Sequence, residues 1–142
     1  METSHRPKIL VTKKVFPEAI ALLEQHAELD YVATSEGLTP EQIVERAAGK
    51  TILVSQITDR LTAGIIGQLK DVRMIAHIGV GYDNVDVAAA TNAGIMVSNT
   101  PDVLTDTTAD LAFTLMLATA RRIAEGHQFV HSGQWKRWAI DF

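Results

Sequence analysis

Apolar residues in this chain fall into short unbroken blocks, separated by stretches in which they recur every third or fourth position. The blocks are residues 8–12 (KILVT), 29–33 (LDYVA), 51–55 (TILVS), 72–78 (VRMIAHI) and 95–98 (IMVS). Each is rich in aliphatic or β-branched residues and has the length of a buried strand. Helical patterns lie between them. Pro17 opens the first, and Ala19, Leu22, Leu23 and His26 recur at helical spacing behind it. Thr39 stands as a capping hydroxyl before Pro40, Glu41 and Gln42; Ile43, Val44 and Ala47 follow, and Gly49 is the stop. Thr62 begins a third pattern through Ile65, Ile66 and Leu69, and residues 85–92 read as a short fourth helix.

Strand and helix thus alternate with short loops over residues 8–98, the pattern of a parallel sheet covered by helices on both faces. The expected fold is α/β: a flavodoxin-like, doubly wound parallel sheet of about five strands, followed by a long helix and an arm. Ligands of such sheets settle at the carboxyl ends of the strands, so the loops after Val11, Val54, Ile78 and Val97 are the ones to watch. The long helix is expected to be capped by Thr105 or Asp106 and to run roughly to His131. Its first turns are apolar on every side, through Leu111, Phe113, Leu115, Met116 and Leu117. Such a helix needs neighbours all round, so it is either a central core helix or a subunit or domain interface, and the small size of the chain favours the interface. Trp135 and Trp138 follow Gly133 and suggest an interface arm.

Composition narrows the class. With 46% hydrophobic and 21% charged residues the chain is globular rather than disordered, and 142 residues hold one domain, or a smaller one plus part of another. A net charge of −4 argues against nucleic acid or an anionic membrane as the main partner. The absence of Cys excludes disulfides and thiolate metal sites. The start, METSHRPK, has no apolar signal core, which makes the cytoplasm the expected compartment. The apolar run at 109–120 (ADLAFTLMLATA) contains Asp110 and is too short to span a bilayer.

The candidate chemistry lies between His77 and Asp110. Gly79-Val80-Gly81 follows a strand, where glycines let the backbone turn sharply and offer N–H groups to an anion, a carboxylate above all; the bland alternative is a tight turn chosen for geometry. It is not a dinucleotide fingerprint, because Asn84 occupies the third glycine position of G-x-G-x-x-G. Asp102 has the offset of a ribose-binding acid, but Pro101 beside it argues for a turn. Thr105, Thr107 and Thr108 crowd a helix start, and Thr107 and Asp110 have capping-box spacing. The structural reading is a cap; the functional one is a Thr facing a cofactor. His127 and His131 are four apart, but no third ligand accompanies them, which favours surface histidines over a metal site. His77, inside an apolar strand, reads as a satisfied core residue.

Taken together, Gly79-Val80-Gly81-Tyr82-Asp83-Asn84-Val85-Asp86, Ala93-Gly94-Ile95 and Asn99-Thr100-Pro101-Asp102-Val103-Leu104-Thr105 resemble the D-isomer-specific 2-hydroxyacid dehydrogenases. Ala109-Asp110-Leu111-Ala112 and Arg121-Arg122 continue the likeness, which covers essentially all of residues 8–142. Val103-Leu104-Thr105-Asp106-Thr107-Thr108 is most similar to the glyoxylate/hydroxypyruvate reductase branch. The resemblance implies a two-domain enzyme that reduces a small 2-keto acid to the D-2-hydroxy acid with NAD or NADP. Residues 1–98 would be the first part of its substrate-binding domain. Residues 99–142 would be the crossing helix and dimerisation arm leading to a Rossmann domain. It further implies that Val80 and Gly81 hold the substrate carboxylate through backbone N–H groups, with Gly79 part of the same substrate-binding loop, and that Ser55, in the loop after the third strand, lines the same pocket. Thr108 would approach the nicotinamide end of the cofactor, and Trp138 would reach toward the active site of the partner subunit as a substrate-binding residue, in a homodimer formed through residues 105–138.

The family's nucleotide fingerprint and its catalytic Arg, Glu and His have no match in residues 1–142. The expectation is therefore that this chain alone binds no NAD or NADP tightly and transfers no hydride. Two other readings stay open: a stand-alone domain that binds small carboxylates, and a dimerisation module without catalysis.

Overall fold

The computed structural model describes residues 6–138 and 140. Residues 1–5 of the N-terminal stretch read above lie outside the described residues. The chain divides into two compact units, Met1–Asp102 and Val103–Phe142.

In the first unit the elements run β1 (Lys8–Val11), α1 (Pro17–His26), β2 (Glu28–Tyr31), α2 (Pro40–Ala47), β3 (Ile52–Gln56), α3 (Ala63–Ile66), β4 (Met74–Ile78), α4 (Val87–Asn92) and β5 (Met96–Ser98). The five strands form one parallel sheet in the order β2-β1-β3-β4-β5. This is the expected doubly wound arrangement, with its topological switch between β1 and β3.

Strand alternation sorts the apolar residues onto two faces. Leu10, Leu53 and Ile75 point to one face, where they pack with Ile43 and Ala47 of α2, Ile66 of α3 and Ala90 of α4. Ile9, Val11 and Val54 point to the other, against Ile20 and Leu23 of α1. Every strand expected from the apolar blocks is present, with shifted ends. Val72 is buried but precedes β4 rather than opening it, and Leu69 is buried beyond the end of α3. Ser55, expected in a loop, lies within β3.

Capping follows the sequence where the residues allow it. Thr39 forms a full capping box with Gln42: Gln42 N–H donates to Thr39 Oγ1 at 3.3 Å, and Thr39 N–H donates to Gln42 Oε1 at 2.9 Å. Gly49, one residue beyond the C-cap of α2, has φ +70°, a conformation open to glycine without strain. Asp86 caps α4 by accepting from Ala89 N–H at 2.9 Å.

The second unit corrects the single long helix. Among the described residues two helices are present, α5 (Thr105–Ala120) and α6 (Ile123–His131). Arg122 between them takes a left-handed φ of 52°, which interrupts the helical ladder. Its guanidinium bonds to Glu125 in the first turn of α6, with Nε 2.6 Å from Oε2. Thr105 is the first residue of α5 rather than its cap: Leu104 holds the N-cap position and supplies no side-chain bond. Thr107 and Asp110 lie inside the helix, so their spacing forms no capping box. Within this chain α5 has no buried residue; Phe113 is 65% and Leu117 64% exposed. Among the described residues no helix is long and apolar enough to cross a membrane.

Candidate carboxylate-binding site

The loop after β4 is built by its neighbours. Three successive carbonyls are tied down: Gly79 O accepts from Thr100 N–H at 2.9 Å, Val80 O from Asn99 Nδ2 at 2.9 Å, and Gly81 O lies 3.1 Å from His77 Nε2. In a trans peptide the N–H points opposite to its carbonyl, and no peptide bond among the described residues is cis. The N–H groups of Val80, Gly81 and Tyr82 are therefore turned away from those three donors. Among the described residues no protein group accepts from them. Val80, Gly81 and Tyr82 are all open to solvent, Val80 at 40% and Tyr82 at 52%. A row of unpaired, accessible N–H groups at the carboxyl end of a parallel strand suits an anion with two oxygens.

The glycine at 79 is a matter of space. A Cβ built there would lie 2.6 Å from His77 Nε2 and 2.7 Å from Ile57 Cγ2. Gly79 does not adopt a positive φ, so close approach rather than backbone freedom demands it.

Ser55 and His77 are register partners on β3 and β4. Both are buried, and Ser55 Oγ lies 3.0 Å from His77 Nδ1. The Ser55 hydroxyl is thus committed inside the sheet, one bond removed from the loop it was expected to line. His77 is the satisfied core residue expected from the sequence, with both ring nitrogens engaged.

A second network holds the loop after β3 against the loop after β4. Buried Asp59 accepts from Thr12 Oγ1 at 2.5 Å and from Gln56 N–H at 2.8 Å. Asn84 Nδ2 donates to Asp59 O at 2.7 Å and Gln56 O at 3.2 Å. Lys13, after β1, donates to Thr58 Oγ1 at 3.0 Å and brings a cation to the same end of the sheet. Sequence reading used Asn84 only as the residue that spoils a nucleotide fingerprint and missed its role as a clamp. It also missed Lys13 and Asn99. An Asn-Thr pair after the fifth apolar block, at a strand's carboxyl end, was the available signal for Asn99.

The remaining expected residues lie in the second unit. Thr108 is in the first turns of α5 and exposed; Trp138 is 79% exposed. Trp138 lines a groove of about 830 Å³ with Trp135, Val130, His131 and Arg137. The His127 and His131 rings touch, with centroids 4.2 Å apart and planes tilted by 47°. Among the described residues no group of three or more His, Cys, Asp or Glu is placed to hold a metal ion.

A parallel sheet of this order, with its switch between β1 and β3, defines a doubly wound α/β domain. The chain belongs to the D-isomer specific 2-hydroxyacid dehydrogenase, catalytic domain, family, whose model matches residues 9–132. It is 38% identical over 135 residues to a glyoxylate reductase of Thermococcus onnurineus and 40% identical over 135 residues to one of Thermococcus kodakarensis. Each match covers 95% of this chain and 40% of the relative, so the chain spans about two fifths of the proteins it resembles. Among solved structures, a protein from Thermus thermophilus superposes with a TM-score of 0.84 at 36% identity, over 95% of this chain and 43% of that one. An NADPH-dependent glyoxylate/hydroxypyruvate reductase from Sinorhizobium meliloti, solved with NADP and malonate, gives 0.73 at 31% identity, over 92% of this chain and 39% of that one.

Proposed function

We propose that this chain is the N-terminal, substrate-binding part of an NAD(P)-dependent D-2-hydroxyacid dehydrogenase that reduces a 2-keto acid such as glyoxylate or hydroxypyruvate to the D-2-hydroxy acid. The observation that carries this reading is the row of unpartnered N–H groups at Val80, Gly81 and Tyr82. Malonate in the Sinorhizobium structure and the names of the archaeal relatives support a small carboxylate as its ligand.

In this reading Gly79, Val80 and Gly81 form the cradle, and Ser55 supports it from within the sheet. Residues 1–98 supply the substrate-domain part; residues 99–142 form the crossing helix and arm. Thr108 faces the cofactor, and Trp138 reaches a partner subunit in a cytoplasmic homodimer built through residues 105–138. The nicotinamide supplies the hydride in such enzymes, and the role of these residues is to bind and orient the acid. An interaction module without catalysis is the second reading, favoured by the uncovered apolar surface of α5.

Two or three charge-assisted bonds of about 1.5–3 kcal/mol each, set against the entropic cost of binding, give a dissociation constant on the order of millimolar. Calorimetry with glyoxylate, glycerate and unrelated anions should show binding of the 2-oxo and 2-hydroxy acids in that range, with weaker binding of chloride. A mixture of the chain, NAD(P)H and glyoxylate should show no loss of nicotinamide absorbance. Absence of carboxylate binding, or reduction by the chain alone, would overturn the proposal.

A further inference from the structure

We propose that His77 is the positioning residue of the cradle, its ring braced by Ser55. This inference rests on the carboxylate-binding reading of the loop and adds what keeps that loop in shape.

Gly81 O can only accept a hydrogen bond, so the ring nitrogen 3.1 Å from it, Nε2, carries the proton. In a neutral ring Nδ1 is then bare and accepts from Ser55 Oγ–H at 3.0 Å. Ser55 and His77 face each other across β3 and β4, and neither is open to solvent. The Gly81 carbonyl, which can only accept, therefore sets the tautomer; the Ser55 hydroxyl, able to donate, pairs the bare Nδ1, and the braced ring holds the Gly81 carbonyl toward the sheet.

That bond has two consequences at the cradle. It withdraws a carbonyl oxygen, with its partial negative charge, from the space an anion would occupy. It also turns the Tyr82 N–H away from the His77 ring, because carbonyl and N–H of one trans peptide are opposed. Thr100 and Asn99 fix the first two peptides of the loop; His77 fixes the third. The bare glycine at 79 belongs to the same arrangement, since a Cβ there would occupy the place of the ring's Nε2.

The test uses the whole 142-residue chain, labelled with 15N, with malonate and glyoxylate as probes. Ring nitrogen shifts of His77 should report a protonated Nε2 and a bare Nδ1. Ser55→Ala should leave the proton on Nε2, where Gly81 O accepts it, and shift the Nδ1 resonance, whose partner is lost. His77→Leu should lower the order parameters of residues 79–82 without ligand and weaken malonate binding about tenfold, the worth of one hydrogen bond. His77→Gln, whose amide nitrogen can reach the position of Nε2, should recover binding to within about threefold of wild type. Circular dichroism and thermal melting of each variant separate loss of fold from loss of loop order.

A ring protonated at Nδ1, or a His77→Leu variant that folds with unchanged loop order and unchanged malonate binding, would overturn the role of His77. If the wild-type ring and loop behave as stated while neither acid perturbs the amides of Val80, Gly81 and Tyr82, the carboxylate reading fails and His77 remains a loop-ordering residue only. If His77→Leu unfolds, the Gln variant and the wild-type ring shifts still decide the tautomer and the bond to Gly81.

Discussion

Single residues decide more here than their types announce. Asp30 on β2 is held by Arg46 of α2, through both Nε and Nη2, and by Lys50 Nζ at 3.6 Å. The Arg46 hydrogen bond is the main cause that draws the Asp30 carboxyl below its usual value, against the opposing effect of partial burial. A depressed carboxyl value stabilises the fold above the unfolded value, about 3.9, and loses that contribution as pH falls through the folded value. Because both partners remain partly open to water, the effect is modest, at most about 1 kcal/mol. Asp30→Asn should therefore lower the urea midpoint at pH 7 and make progressively less difference below about pH 4. An equal loss at neutral pH and in strong acid, well below that value, would show that the charge is not the cause. His77 and Ser55 illustrate the limit of residue type: each reads alone as an ordinary strand residue, and only their pairing gives either a role.

At the scale of elements, the start of α2 was readable from its own side-chain cap, while the Asp86 cap of α4 was not read. Thr39 and Gln42 stand three apart before an apolar run, and the capping box of α2 is what they form. Thr39→Ala should cost about 1 kcal/mol, seen as a lower melting temperature, while Thr39→Ser should stay near wild type. Equal melting of the Ala variant and wild type would mean that Pro40 and packing alone set the start of α2. The same logic misread the second unit, where four hydroxyl- or carboxyl-bearing residues at 105–108 suggested a cap that Leu104 and the backbone do not use. The break between α5 and α6 escaped reading too. Arg121 and Arg122 are good helix formers, and a left-handed φ at Arg122 leaves no mark in composition.

For the whole molecule, the contrast between the units is the main result. The first closes two apolar layers around a five-stranded sheet. The second presents helices without a buried residue, with Leu111, Phe113, Leu115, Met116 and Leu117 all more than half exposed. Exposed apolar surface of this extent marks an interaction site in soluble proteins. Sedimentation at micromolar concentration is expected to give a dimer, and the pair Phe113→Glu and Leu117→Glu, one helical turn apart, should shift it to monomer. A monomeric wild type would remove the support for a homodimer through residues 105–138.

The sequence by itself determined the number and type of the elements in the first unit, the parallel class of the sheet, the glycine-bracketed loop and the family likeness, because apolar period, caps and short motifs are local signals. The tertiary structure decided strand order, the two-sided division of the core and the register that sets Ser55 opposite His77. It also decided which carbonyls of the loop are tied and which N–H groups stay free. Those outcomes depend on hydrogen bonds between residues far apart in the chain, such as Ser55 with His77 and Val80 with Asn99. No periodicity along the chain encodes which distant partners meet; that is fixed only when the strands pair and the loops are drawn together at their carboxyl ends.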